Sequence, residues 1–198
     1  EPDLVVNTGD NLSHQEAVPP LLEALKPLMR FPGVFVPGSN DYYAPVLKNP
    51  FTYFTSPSKL RKNPAKLPWA DMFFSFGNAG WIDLTNRNQS TVLNGLRLDF
   101  SGVDDPHLKR VLDYFTDGGA QLILAGHTHG GQVCIPGYGA LVSNCDLPTW
   151  RAKGLTDWEH NGRTVPLNVS AGIGTSRFAP VRFACRPEAV LLTLTPAA

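Results

Sequence analysis

With 198 residues the chain can bury one sizeable core, and its 17 Lys and Arg against 17 Asp and Glu exclude an acidic solvating tail and the basic footprint of a nucleic-acid binder. Apolar residues make up 42% and charged ones 17%, a globular balance that points to no polyanionic partner. Gly and Pro, 18 of each, predict many tight turns, with loops that carry the chemistry. Cys134, Cys145 and Cys185 are too few and too scattered for a disulfide framework or a paired-cysteine zinc site, and read as small buried residues of a reducing compartment. No apolar run approaches the ~20 residues of a membrane span, and no basic-then-apolar signal segment opens the chain. The expectation is a single domain over residues 1–198, cytoplasmic or peripherally associated with a membrane. Because the chain opens on Glu1 with a strand close behind, an N-terminal piece is expected to be absent.

Residues 4–7 read as a buried strand ending at Thr8-Gly9-Asp10-Asn11, and Leu21, Leu22, Leu25 and Leu28 predict a helix over 18–29. Val34-Phe35-Val36 is a second short strand, closed by Pro37-Gly38 and followed by Ser39-Asn40-Asp41-Tyr42-Tyr43. From 44 to 71 the Pro, Lys and Asn content predicts an irregular excursion carrying Lys59, Arg61, Lys62 and Lys66, either a solvated loop or a lid facing substrate. Strands are expected over 73–76, 81–84, 91–93 and 96–103, the last two joined at the hairpin signal Asn94-Gly95. An antiparallel meander would thus follow two strand–loop units. Asp105-Pro106 opens a helix whose apolar face is Leu108, Val111, Leu112 and Phe115 and which stops at Gly118-Gly119. A strand over 121–125 runs into Gly126-His127-Thr128-His129-Gly130-Gly131-Gln132, and further strands are expected over 167–171, 181–184 and 189–194.

The chemistry gathers at strand ends. His127 and His129 sit two apart beyond an apolar strand, so an extended backbone would aim both imidazoles to one side, where they suit Zn, Fe or Mn. Asp10 follows the first strand, and Asn40 and Asp41 follow the second. Singly, each reads as an ordinary turn residue. Three strand ends that each deliver metal-capable side chains form a pattern. His14 and His160 have loop surroundings and no partner pattern, and read as exposed polar residues.

That order resembles the calcineurin-like metallophosphoesterases, whose motifs run Asp-x-His, Gly-Asp-x-x, Gly-Asn-His-Asp/Glu, a lone His, then Gly-His-x-His. Gly9-Asp10-Asn11-Leu12 matches the second, Gly38-Ser39-Asn40-Asp41 approximates the third, and Gly126-His127-Thr128-His129 matches the last. With its extension to Gly-Gly-Gln the final motif is most similar to a branch of small bacterial phosphohydrolases. The resemblance implies an α/β sandwich of two mixed β-sheets flanked by helices, and hydrolysis of phosphomono- or phosphodiesters with two divalent metal ions (Mn, Fe or Zn). It implies that Asp10 bridges the metals, that Asn40 and His127 ligate one, that His129 ligates the other, and that Gly131 and Gln132 face substrate. A hydroxide between the metals would attack phosphorus.

The departures define the open points. The Asp-x-His motif is expected upstream of Glu1. In the third motif, either Asn40 holds the metal and Asp41 stands where the catalytic-acid histidine would be, or Ser39 and Asn40 replace Asn and His. His107 is the one histidine between Asn40 and His127, and it reads either as the lone ligand or as part of a helix's first turn. The expected substrate is a phosphorylated small molecule or a lipid-linked phosphate. A non-catalytic remnant that binds a ligand or partner is the alternative. A mononuclear zinc hydrolase built on His127 and His129 would lack the usual Glu base.

Overall fold

The computed structural model describes residues 1–44, 65–104, 108–143, 145–175 and 181–195. Strand β1 (Val5–Asn7) lies parallel to β2 (Gly33–Phe35), which lies parallel to β3 (Ile82–Asp83). This sheet is wholly parallel rather than mixed or meandering, because helices stand in both connections and return the chain to the same edge direction. The first, α1 (Val18–Leu25), starts with prolines in its opening turn, where their missing N–H groups cost nothing. It is shorter than the expected 18–29, and the chain continues through turns to Arg30.

After α2 (Ser39–Tyr42), the second connection holds α3 (Trp69–Asn78), where a strand was expected over 73–76. Its aromatic run favours strands by local propensity, but the buried positions Met72 and Phe76 are four apart and Phe74 on the opposite side is exposed. Helical spacing therefore decides the conformation. Phe35 packs edge-on to Phe73 and Phe76, both at 5.1 Å, and Leu12, Val18, Leu25 and Trp81 complete this core.

Strands β4 (Asn88–Leu93) and β5 (Leu96–Ser101) form the expected hairpin, with Asn94 at φ 50° and Gly95 at φ 79° in the left-handed turn. Helix α4 (Leu108–Asp117) packs on a second sheet. There β6 (Ile123–Ala125) runs parallel to β10 (Arg163–Val169), which pairs antiparallel with β9 (Gly154–His160). Leu112, Trp158, Val165, Leu167 and Val169 form its core. His160, expected to be unpartnered, lies 3.2 Å from Asp113 and 3.5 Å from Asp117, tying β9 to α4. A small hairpin, β7 (Cys134–Ile135) and β8 (Gly139–Ala140), follows the histidine loop.

The C-terminal strands fare differently. Residues 181–184 contribute one isolated parallel bridge, Val133 to Phe183, and 189–194 form no strand; Val190, Leu191 and Leu194 are exposed there. Apolar sequence alone does not make a strand without an edge to pair with. Cys134 and Cys185 are buried free thiols, Cys145 is half-buried, and His14 is exposed. His107, Lys59, Arg61 and Lys62 lie outside the described residues. Among those described, no helix is long and apolar enough to cross a membrane.

Candidate metal centre

The loops leaving β1 and β2 are folded against one another. Gly9 takes φ 84°, and a Cβ there would sit 2.5 Å from the Pro37 carbonyl carbon; a Cβ on Gly38 would overlap the Asp10 carboxylate. Asp41 is fully buried at the centre of this junction. Its Oδ1 accepts the N–H groups of Asn11 at 2.6 Å and Leu12 at 2.9 Å; its Oδ2 accepts those of Asp10 at 3.0 Å and Gly38 at 2.9 Å. Four main-chain donors from two loops thus converge on one carboxylate. Burial pushes the Asp41 carboxyl above its ordinary range, with Asp10 adding to the rise and the main-chain N–H groups opposing it.

Asp10 itself has a left-handed backbone, φ 59°. Its Oδ1 accepts the Asn40 N–H at 3.1 Å. Its Oδ2 is buried with no well-formed hydrogen bond and lies 3.3 Å from His127 Nδ1. Burial raises this carboxyl, but His127, the Asn40 N–H and His129 outweigh that and hold it below the usual carboxylate range.

β6 supplies the histidines, though not by an extended backbone. The strand ends at Ala125, His127 takes φ 70°, and His129 takes φ 50° at the start of a 3-10 turn over His129–Gly131. Gly126 is forced by a close approach: a Cβ there would sit 2.6 Å from Thr8 Oγ1. Buried Thr128 braces the turn, donating to the Ala152 carbonyl at 2.5 Å and accepting the Gly130 N–H at 3.2 Å. His127 reaches Asp10, and His129 lies close enough for Asp10 and His127 to act on its charge.

The profile of the calcineurin-like phosphoesterases matches residues 1–131. The chain belongs to that family. The phosphoesterase is also 29% identical over 206 residues to the uncharacterised metallophosphoesterase YkuE of Bacillus subtilis (strain 168), covering 98% of this chain and 68% of that protein. No solved structure matches significantly. The mixed α/β architecture, with several sheets and few helices, is in keeping with the family.

Calcineurin-like phosphoesterases generally use divalent metals. In this phosphoesterase the buried, unsatisfied Asp10 Oδ2 beside an imidazole is a donor set that suits such an ion, and the Asn40 backbone already touches the same carboxylate. Among the described residues, no three His, Cys, Asp or Glu side chains are gathered in a metal-holding group. The observed ion pair is Asp10 with His127, and His129 is near enough for both to act on its charge. Gly131 and Gln132 are packed into the body: Gly131 lies against Ala140, and fully buried Gln132 donates to the Val181 carbonyl at 3.3 Å. A cavity of about 130 Å³ opens beside Asp10 and His127, lined by Thr8, Ser39, Val103 and Phe115. A wider groove of about 700 Å³, bordered by Trp150, Trp158 and His160, contains none of these residues.

Burial also lowers the His129 pKa below its ordinary value; Asp10 opposes the shift, while Arg182 and His127 reinforce it. A histidine whose folded pKa is depressed contributes stability that is present above the unfolded value of ~6.5 and is lost as pH falls through the folded one. The metal-free phosphoesterase should therefore lose unfolding temperature below about pH 6.5, and His129→Gln should flatten that part of the curve. An unchanged acid limb in the variant would contradict the assignment.

Proposed function

We propose that this phosphoesterase hydrolyses phosphomono- or phosphodiester bonds of a small or lipid-linked phosphate at a metal centre organised by Asp10. The observation that carries the reading is the buried Asp10 carboxylate, fixed through Oδ1 by Asn40, with Oδ2 lacking a hydrogen bond and facing His127. Asp10, His127 and the Asn40 side chain would hold one Mn, Fe or Zn ion, and His129 would serve a second. When bound, the metal supplies Lewis-acid activation of water and of the phosphoryl oxygen. The chain's own part is to orient ligands and exclude water: the Gly9 and Gly38 contacts bring the two loops together, and Thr128 holds the histidine turn.

Asp41 is assigned a structural role here rather than that of a general acid, because its oxygens already accept four main-chain N–H groups and it has no exposed surface. Gly131 and Gln132 shape the histidine turn instead of touching substrate. The absence of a three-residue His, Cys, Asp or Glu group among the described residues favours a second reading, a non-catalytic ligand-binding module.

One experiment separates the two. The purified 198-residue chain is dialysed, its metal is counted, and it is then assayed with Mn or Zn on nitrophenyl phosphomonoesters and phosphodiesters. We expect one tightly held metal and metal-stimulated hydrolysis. Since a single imidazole is assigned to the second ion, two equivalents surviving dialysis would contradict that weaker hold, and metal binding without any turnover would favour the binding module.

A further inference from the structure

Arg182 lies 53 residues beyond the histidine it touches and belongs to none of the motifs at the metal centre. Its guanidinium has a complete set of partners. Nε donates to the Gly174 carbonyl at 3.0 Å; Nη1 donates to the His129 carbonyl at 3.1 Å and approaches Cys185 Sγ at 3.6 Å. Nη2 donates to the carbonyls of Ala171 at 2.6 Å and Gly172 at 3.1 Å, and also meets that of Gly174. A guanidinium has five N–H groups and no acceptor, so all three nitrogens are occupied by the protein itself. An arginine beside a phosphoesterase site invites the role of phosphate binder, but this one has no donor left to offer.

What it joins is specific. The His129 turn leaves β6, and residues 171–174 leave β10, the strand beside it in the same sheet. Ser170 N–H still bonds to Ala125, so the two exits start together, and Arg182 fastens them again one turn further on. Arg182 is itself held in place, since the adjacent Phe183 exchanges hydrogen bonds with Gln132 and Cys134 at 3.0 and 2.9 Å. His129 needs such an anchor, because its φ of 50° is one that residues with a Cβ seldom hold unaided.

We infer that Arg182 is a positioning residue: it clamps the His129 carbonyl to the 171–174 loop and so fixes the direction of the His129 imidazole toward the metal centre. This rests on the metal-centre reading given above. A lysine cannot replace it, because one ammonium lacks the planar fork that reaches four carbonyl groups at once.

The test compares the wild type with Arg182→Lys and Arg182→Gln. In metal-free protein, amide exchange in 129–132 and 171–174 should accelerate together in both variants while β9 keeps its protection, which also shows that the variants are folded. Mn²⁺ affinity measured by calorimetry should weaken by ~10–100-fold, the usual effect of losing a group that orients a ligand. On a nitrophenyl phosphodiester, kcat should recover at saturating Mn²⁺ and KM should be unchanged. Unaltered Mn²⁺ affinity with a KM raised about tenfold or more, the effect of a lost phosphate contact of ~1.4 kcal/mol, would overturn the proposal in favour of a substrate-binding arginine. If the wild type takes up no Mn²⁺, the metal reading fails, and exchange alone then decides the clamp: joint acceleration sustains it and unchanged rates refute it.

Discussion

Asp41→Ala should cripple the protein before any chemistry is reached. The change removes the acceptor for four main-chain N–H groups drawn from Asp10, Asn11, Leu12 and Gly38, in a place where Asp41 has no exposed surface. Each buried donor left unpaired costs about 1–3 kcal/mol, so the loss should reach several kcal/mol, against a total stability of ~5–15 kcal/mol. Asp41→Asn keeps the shape but cannot keep the bonds. Whichever way the amide lies, its NH₂ faces a pair of N–H groups, on the Asn11 and Leu12 side or on the Asp10 and Gly38 side. Both variants should show a lowered urea midpoint and weakened metal binding, Ala more than Asn. A nitrophenyl ester, which scarcely needs its leaving group protonated, should rescue neither. Were Asp41→Ala to keep its midpoint and its metal and regain rate on that ester alone, Asp41 would be a general acid.

His127→Gln is the counterpart on the ligand side. It removes the imidazole that stands 3.3 Å from Asp10 and leaves the carboxylate buried with one fewer favourable neighbour. Metal content and rate should fall together. A metal's Lewis-acid contribution is several kcal/mol, so kcat/KM should drop by about 10³-fold or more on good and poor leaving groups alike. The fold should survive, because the His127 side chain is 39% exposed and belongs to neither large core cluster. Full metal content with a small rate loss would remove His127 from the ligand set.

How much of this was legible from the residues depended on how local the cause was. Asn94-Gly95 declared its hairpin because the dipeptide and its alternating flanks are contiguous. Asn161-Gly162 makes the same left-handed turn between β9 and β10, yet it went unread because polar His160 and Arg163 flank it. The 73–76 segment was misread because aromatic propensity is a weaker force than a buried face, and only the three-dimensional core shows which face that is. At the candidate site, Asp10, Asn40 and His127 were singled out by their placement after strands, and the structure brings the Asp10 carboxylate to the Asn40 main-chain N–H and to His127. The extended-backbone reason given for the histidines does not hold, since the strand ends before them. Asp41's four donors come from as far as 31 residues away, and Arg182's contact with His129 spans 53. No spacing rule reaches across such separations: Arg182 belonged to no motif, and buried Thr128, though inside the Gly126–Gln132 motif, was not singled out in it.

Asp10, His127, His129 and Gln132 all hold backbone angles for which glycine is the natural occupant. A side chain at such a position costs about 1–2 kcal/mol. In a lineage freed from the need to hold a metal or turn over substrate, drift would favour glycine or asparagine at these sites, since stability alone would then rule. Two imidazoles and a carboxylate stand at such positions, in keeping with the ligand roles proposed for them.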